Sequence, residues 1–462
     1  MKTENLSPKK KVHIVSLGCP KNLVDSEIML GSLKNDGYEQ TEDANEANTI
    51  IVNTCSFIED SRKESVQTIL EMANLKETDN KKKIVVAGCL PQRYKDELAD
   101  SLPEADIVVG SGEFQNIANF LKESEQNPGK QLRHFHLPTY LQSDETPRLN
   151  SGPGFRAYLK ISEGCKKRCA FCAIPAIRGN LQSRNIDAVV SEAKLLVASG
   201  VKEIIVISHD FTDYGWDLRR QNPEAVESPV ALLDALSKVP GLKWIRVLYL
   251  YPDGINQELI DLIKGRDNLL PYFDIPLQHV NSAVLKRMNR KMTKEEIVEA
   301  ISLIRKELPD AVIRTQFIVG FPGETDEEFE ELLDFIEDTR FDRVGCFKYS
   351  PEEKTAGFRM TDQIDEETKE DRYNQVMSLQ KDISNEMHAR FVGQTIPVMV
   401  EGYSQETELL LEGRMQGQAP EIDGVVYIND GTASPGEIVM VEITDSHDYD
   451  LVGKIIQEAL LI

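Results

Sequence analysis

Apolar and polar positions fall into three successive patterns along this chain. In the first, short and almost wholly apolar runs at 12–16, 49–53 and 83–87 are each followed by a helical stretch, around 23–36, 58–75 and 91–100. Runs of that length and uniformity suit strands buried on both faces of a parallel sheet, so the pattern predicts β–α repeats. Residues 122–154 are polar and carry Asn127-Pro-Gly129 and Ser151-Gly-Pro-Gly154, which predicts a linker at 126–150 after a first domain at 11–125.

The second pattern opens with an alternating strand that sets Phe155, Ala157, Leu159 and Ile161 on one face. Further strands are predicted at 203–208, 244–250, 272–276, 312–319 and 343–349, separated by helices near 187–199, 226–238, 255–264, 294–307 and 325–338. Six such βα units predict a partial parallel (βα)6 barrel over 151–388, with its site at the C-terminal ends of the strands. A charged helix at 366–391 should pack outside it. In the third pattern the period shortens to strands at 395–401, 408–414, 424–428, 437–443 and 451–456, with glycine-containing turns. Five short strands in about seventy residues predict a small OB-like β-barrel over 391–462. The whole reads as an α/β chain with a β-barrel appended.

Composition changes the picture in two ways. The 462 residues carry a formal charge of −24, which argues against nucleic-acid binding, since that requires a basic face. From Phe391 onward thirteen Asp and Glu stand against Arg414 and Lys454, a net of −11. Acid so concentrated predicts a docking surface for a basic macromolecule. Neither a signal-peptide core in the N-terminal MKTENLSPKKKV nor an apolar run long enough to span a bilayer is present, so a cytoplasmic protein with reduced thiols and no membrane partner is expected.

The seven cysteines carry the chemistry. Cys165, Cys169 and Cys172 stand in C-x3-C-x2-C spacing, with no fourth Cys or His before His209. Three thiolates can hold three irons of a four-iron cluster and leave the fourth open, which points to an enzyme rather than an electron carrier. Structural zinc wants four ligands, and an odd cysteine count fits no disulfide framework. Cys19, Cys55 and Cys89 each follow a predicted strand, 34 to 36 residues apart. In a parallel sheet such positions gather along one edge, so a second cluster is expected there. Cys346 lies on an apolar strand and reads as core.

Around the triplet the sequence is basic: Lys166, Lys167, Arg168, Arg178 and Arg184, with no acid between Cys165 and Arg184. The turn Phe317-Ile-Val-Gly-Phe-Pro-Gly-Glu-Thr325 ends a strand and opens a helix, with Thr325 and Glu328 forming a capping box. Gly320 and Gly323 would let a cofactor approach the backbone closely. Gln278 and His279 end another strand, where a structural role and a site role are equally open.

These residues resemble the radical S-adenosylmethionine (SAM) superfamily, whose signature is C-x3-C-x-aromatic-C with Phe171 in the aromatic position. The likeness narrows to the methylthiotransferases and covers nearly the whole chain. Ser16-Leu-Gly-Cys-Pro-Lys-Asn22, Asn53-Thr-Cys55 and Ala87-Gly-Cys89 resemble the auxiliary-cluster domain, Gly164 to Gly179 the radical core, and the last seventy residues a TRAM domain. Trp244 to Pro252, Asp274 to His279 and Ala419 to Gly424 resemble the branch that modifies an aspartate of small-subunit ribosomal protein S-twelve, a basic protein.

The resemblance implies two 4Fe-4S clusters, one on Cys165, Cys169 and Cys172 and the other on Cys19, Cys55 and Cys89, with SAM as cosubstrate. Phe171, Gly320 and Gly323 would border SAM. It implies cleavage of SAM by an electron from a reduced donor protein, hydrogen abstraction from the aspartate β-carbon, sulfur from the auxiliary cluster and methyl from a second SAM. The partner would be S-twelve on or near the small ribosomal subunit, and tRNA would not be a substrate. The alternatives are the tRNA adenosine methylthiotransferases, which share fold and both clusters but predict a basic last domain that the net of −11 opposes, and a non-catalytic iron–sulfur protein docked on the ribosome. Two loops depart from the family: His209-Asp-Phe-Thr stands for Gln-Asp-Thr-Thr, and Lys354 stands where glycine commonly follows two glutamates.

Overall fold

Six parallel strands make the first sheet, in the spatial order Glu39–Gln40, Lys11–Ser16, Thr49–Thr54, Lys83–Gly88, Ile107–Gly110 and Leu132–His134. The computed structural model describes residues 10–79, 81–143, 146–405 and 407–456. The apolar runs mark three adjacent strands; Thr49–Thr54 and Lys83–Gly88 are almost wholly buried, as strands covered on both faces must be, whereas in Lys11–Ser16 only Val12 is fully buried. Strand order reverses between Lys11–Ser16 and Thr49–Thr54. In open α/β sheets, ligands bind outside the strand C-termini at such a reversal.

Besides the two-residue edge strand Glu39–Gln40, two strands of this sheet lie outside the sequence pattern. Ile107–Gly110 is a four-residue apolar run. Leu132–His134 falls inside the expected linker, where only Leu132 is apolar; it is buried, and its N–H donates to the Asp106 carbonyl. One buried side chain gives no readable period, and the sheet edge supplies the strand.

The chain forms two compact units. One comprises the chain up to Ser151 with Lys160–Arg168 and Cys172–Arg184; the other comprises Gly152–Leu159, Cys169–Phe171 and the chain from Asn185 onward. The second unit holds the partial (βα)6 barrel as two three-stranded sheets. Trp244–Val247, Glu203–Ile207 and Arg156–Lys160 form one; Tyr272–Gln278, Val312–Val319 and Arg343–Lys348 form the other. A bridge from Ile245 to Leu269 links the two along the wall. Helices Ile186–Ala198, Pro229–Ser237, Gln257–Lys264, Lys294–Glu307 and Asp326–Thr339 follow the expected order, the last two opened by full capping boxes. The expected alternation in the first strand is absent: Tyr158 and Lys160 are buried along with Ala157 and Leu159. Their polar ends are satisfied, the Tyr158 hydroxyl by Glu421 and the Lys160 ammonium by Asp25 and Glu163.

Helix Glu366–Ala389 lies against the barrel, where Gln380 donates to the Phe341 carbonyl at 3.1 Å. The five strands after it close into a barrel in the order Thr395–Tyr403, Leu411–Met415, Val426–Asp430, Leu451–Ile455 and Ile438–Ser446. Its core is Val398, Val400, Val426, Ile428, Val441, Ile443 and Leu451.

The two barrels are joined by buried ion pairs. Glu203, fully buried, accepts from Arg246 Nε at 3.0 Å and Arg414 Nη2 at 2.6 Å, and Arg414 also reaches Glu401. Asp423 accepts from the Tyr272 hydroxyl at 2.7 Å and lies 3.6 Å from both Arg314 and Arg343, while Arg156 pairs with Glu401 and Glu421. The acid of the last domain is therefore not all a docking face. Glu401, Glu421 and Asp423 neutralise arginines of the larger barrel, and Glu408, Asp430, Glu437 and Asp445 are among the acids exposed to water.

Candidate active site

Cys19, Cys55 and Cys89 leave the C-terminal ends of three adjacent strands, on either side of and beside the order reversal. Cys19 precedes helix Pro20–Asn35, whose Pro20 suits the first helical position; Cys89 opens helix Cys89–Tyr94. Glycine before two of them permits the gathering. Gly18 has φ +87°, and a Cβ there would stand 2.9 Å from Cys55 Sγ; Gly88 has φ +101°, and a Cβ would collide with Asn53 at 2.3 Å. Ser65, buried, bonds both the N–H and the carbonyl of Cys55.

Asn22 ties the three loops together. Its Nδ2 donates to the carbonyls of Leu17 (3.0 Å) and Thr54 (2.9 Å), and its Oδ1 lies 3.5 Å from Cys89 Sγ. Thr54 Oγ1 donates to the Ala87 carbonyl at 2.6 Å, joining the second loop to the third. Burial raises the pKa of Cys55 and pushes that of Cys89 up to about 12, and both thiols feel the charge of Cys19. Among the described residues no three His, Cys, Asp or Glu side chains already stand close enough to enclose a metal ion. The donor chemistry nonetheless fits an iron–sulfur group: three thiols on neighbouring strand ends, mutually coupled in charge, with side-chain donors beside them.

The chief of those donors is Arg178. Its side chain is 1% exposed; Nη1 donates to Asp25 at 2.6 Å, and Nη2 to Asn22 Oδ1 at 2.5 Å and Cys89 Sγ at 3.5 Å. Glu163 lies 3.4 Å from Nη1, and Lys160 closes the set on Asp25 and Glu163. Burial pulls the guanidinium pKa down, yet Cys89, Asp25, Glu163 and Cys19 together hold it well above its ordinary value. Arg184 is also buried, donating to carbonyls of Gln142 and Lys160. The basic stretch read from the sequence is thus split by burial, with two of its five cations, Arg178 and Arg184, buried inside the first unit. Charge counting along the chain cannot find this, because Asp25 lies 153 residues from its partner.

In the triplet loop the Cys165 N–H donates to the Gly179 carbonyl and the Ile174 N–H approaches Cys172 Sγ at 3.5 Å. Arg290, unremarked in the sequence, stacks on Tyr251 at 4.4 Å, donates to the Pro276 carbonyl and reaches 3.9 Å from Cys169 Sγ. Sulfurs beside N–H donors are suited to carrying negative charge. Phe171 packs on a cluster of Ala170, Val284, Met288, Phe321 and Tyr349, which brings it to the Gly320–Gly323 turn. Gly320 has φ +71°, and the group crowding it is Lys369, 2.3 Å from a Cβ position; Gly323 meets only Arg287 and Asp362 beyond 3.5 Å. Gly320 therefore makes room for helix Glu366–Ala389, whereas Gly323 stays open.

His279 is fully buried. Its Nδ1 accepts the Asn281 N–H at 3.0 Å, and burial lowers its pKa to about 3, so it is a neutral structural histidine. Cys346 is buried on Arg343–Lys348, with its pKa pushed up to about 12 by burial. It should resist iodoacetamide at pH 8 in the native protein and react only on unfolding; fast native labelling in a peptide map would contradict its placement in the core.

Three family models match: Uncharacterized protein family UPF0004 over residues 11–110, the Radical SAM superfamily over 159–336 and the TRAM domain over 392–456. "Ribosomal protein uS12 methylthiotransferase RimO" of Bdellovibrio bacteriovorus is 66% identical over 449 residues, spanning 97% of this chain and 98% of that one. The proteins of the same name from Geobacter sulfurreducens and Clostridioides difficile are 49% and 46% identical, each over 97% of this chain and 99% of theirs. The chain belongs to the RimO family.

RimO membership and the radical SAM domain make it a radical SAM methylthiotransferase that uses an iron–sulfur cluster and SAM. At the level of fold it is similar to the radical SAM methyltransferase TsrM from Kitasatospora setae (14% identity, TM-score 0.50, 73% of each chain). It is also similar to the cobalamin-dependent SAM radical enzyme OxsB (14%, TM-score 0.52, 82% of this chain and 56% of that one). The departure from the family pattern at Lys354 has a geometric side. Lys354 sits at φ +70°, a conformation glycine adopts without penalty and lysine only at about 1 kcal/mol or more. Among the described residues no helix is long and apolar enough to cross a membrane.

Proposed function

We propose that this enzyme transfers a methylthio group to the β-carbon of an aspartate in ribosomal protein uS12. The observation that supports it most is the pairing of two cysteine sets in one chain: a C-x3-C-x2-C loop, and three cysteines at adjacent strand ends of one sheet. The proposal assigns one 4Fe-4S cluster to Cys165, Cys169 and Cys172, and a second to Cys19, Cys55 and Cys89. When bound, the cofactors supply one-electron cleavage of SAM, a transferable sulfur and a methyl group. The protein's own residues orient and shield. Asn22 and Arg178 fix the strand-end loops; Arg290 donates toward Cys169; Phe171 and the open backbone at Gly323 border SAM and, with the apolar cluster around Phe321, exclude water.

The exposed acids of the small barrel suit a basic protein partner and oppose RNA. A reduced electron-donor protein completes the reaction. Mass analysis of uS12 and of tRNA from cells with and without this protein tests the reading. The expected result is a methylthio increment on one uS12 aspartate that disappears with the gene. An increment on tRNA adenosine that disappears instead would overturn it.

A further inference from the structure

We infer that Arg178 is a positioning residue for the centre on Cys19, Cys55 and Cys89, donating a hydrogen bond to the Cys89 sulfur that raises the reduction potential of that centre. The inference rests on the proposed assignment of those cysteines to a cluster. It starts from an oddity of placement. A guanidinium 1% exposed is expensive to bury unless every donor finds an acceptor. Asp25 and Glu163 take Nη1 and balance the charge of Arg178 together with that of Lys160, while Nη2 is directed at Asn22 Oδ1 and Cys89 Sγ. Charge balance alone does not require a donor on the sulfur, and the fork of the guanidinium fixes where Nη2 lies once Nη1 is held.

The position of Arg178 in the chain adds to this. It ends the short helix Ile174–Arg178 that follows Cys172, and the Ile177 carbonyl is pinned by Ser111 Oγ at 2.9 Å. Ala173, Ile177 and Cys89 share one small apolar cluster. The loop that carries Cys165 and Cys172 therefore delivers a fixed positive donor to Cys89, so the centre is completed by a residue outside the first domain of the sequence. A hydrogen bond and a nearby positive charge both stabilise the more negative, reduced state of an iron–sulfur centre, which raises its potential.

The test uses the full chain with Cys165, Cys169 and Cys172 all replaced by alanine and reconstituted anaerobically, so that only the strand-end centre can load. Iron and sulfide content of this parent decides the underlying reading: no loading there refutes the cluster assignment, separately from the role of Arg178. In the loaded parent, Arg178→Met combined with Asp25→Asn removes the donor without leaving a buried charge unpaired. The expected result, read by EPR at fixed applied potential, is about a tenfold lower ratio of reduced to oxidised centre, a shift of about 59 mV for one electron. An unchanged ratio in a loaded variant overturns the inference. If that variant does not load, nitrogen-15 hyperfine coupling in the parent grown on labelled arginine decides. A guanidinium coupling to the reduced centre upholds the hydrogen bond, and its absence overturns it.

Discussion

Cys89→Ala is expected to abolish methylthio transfer to uS12 while SAM is still cleaved. Product formation should fall by at least about a thousandfold, equivalent to about 4 kcal/mol of lost transition-state stabilisation, because the centre proposed to supply sulfur from Cys19, Cys55 and Cys89 would lose a ligand. The alanine fits the site: Cys89 is small, and the fold around it is held by Asn22, Thr54 and the glycine at 88 rather than by the thiol. Cys165, Cys169 and Cys172 are untouched, so 5′-deoxyadenosine should continue to appear on reduction. Chromatography of the reaction mixture separates the two products. Loss of both together would mean that the strand-end cysteines serve SAM cleavage itself, and retention of both would remove them from the chemistry.

Glu203→Ala is expected to loosen the small barrel from the larger one. The substitution leaves Arg246 and Arg414 buried without their common carboxylate, and breaking a buried pair on one side costs about 3–5 kcal/mol. Amide exchange should quicken across Leu411–Met415 and Glu203–Ile207, while the sheet containing Thr49–Thr54 stays protected. Burial alone would raise the Glu203 pKa, but Arg414 and Arg246 outweigh it and hold the value below the ordinary 4.5. A carboxylate with a depressed folded pKa stabilises at pH above its unfolded value and loses that contribution as pH falls through the folded one. The stability gap between native chain and variant should thus be constant near neutrality, begin to shrink below about pH 4.5, and close below the folded pKa of Glu203. Exchange unaffected by the substitution at pH 7 would mean that the pairs do not hold the interface.

Much of this was legible in the chain because the signals are local. The C-x3-C-x2-C loop, the apolar runs ending near Cys19, Cys55 and Cys89, the Thr325–Glu328 capping box and the five short C-terminal strands depend on neighbours within a few residues. Other elements depend on distant partners. The strand Leu132–His134 exists because a sheet edge was free beside Ile107–Gly110. Lys160 is buried although the sequence pattern puts it on the polar face of its strand, because Asp25 and Glu163 meet it. The acidic tail illustrates the same limit: its charge could be counted, but that Glu401, Glu421 and Asp423 are spent on arginines 156, 314, 343 and 414 could not.

By itself, then, the sequence determined the reaction class and the order of the domains, since thiol spacing and the period of apolar positions are written in consecutive residues. Tertiary structure alone decided what surrounds the sulfurs. Asn22 reaches three loops, Arg178 reaches Cys89 across 89 residues, and Arg290 reaches Cys169 across 121. The reason is physical: a hydrogen bond or a buried charge is satisfied by whatever the fold brings within about 3 Å, and separation along the chain carries no record of that distance.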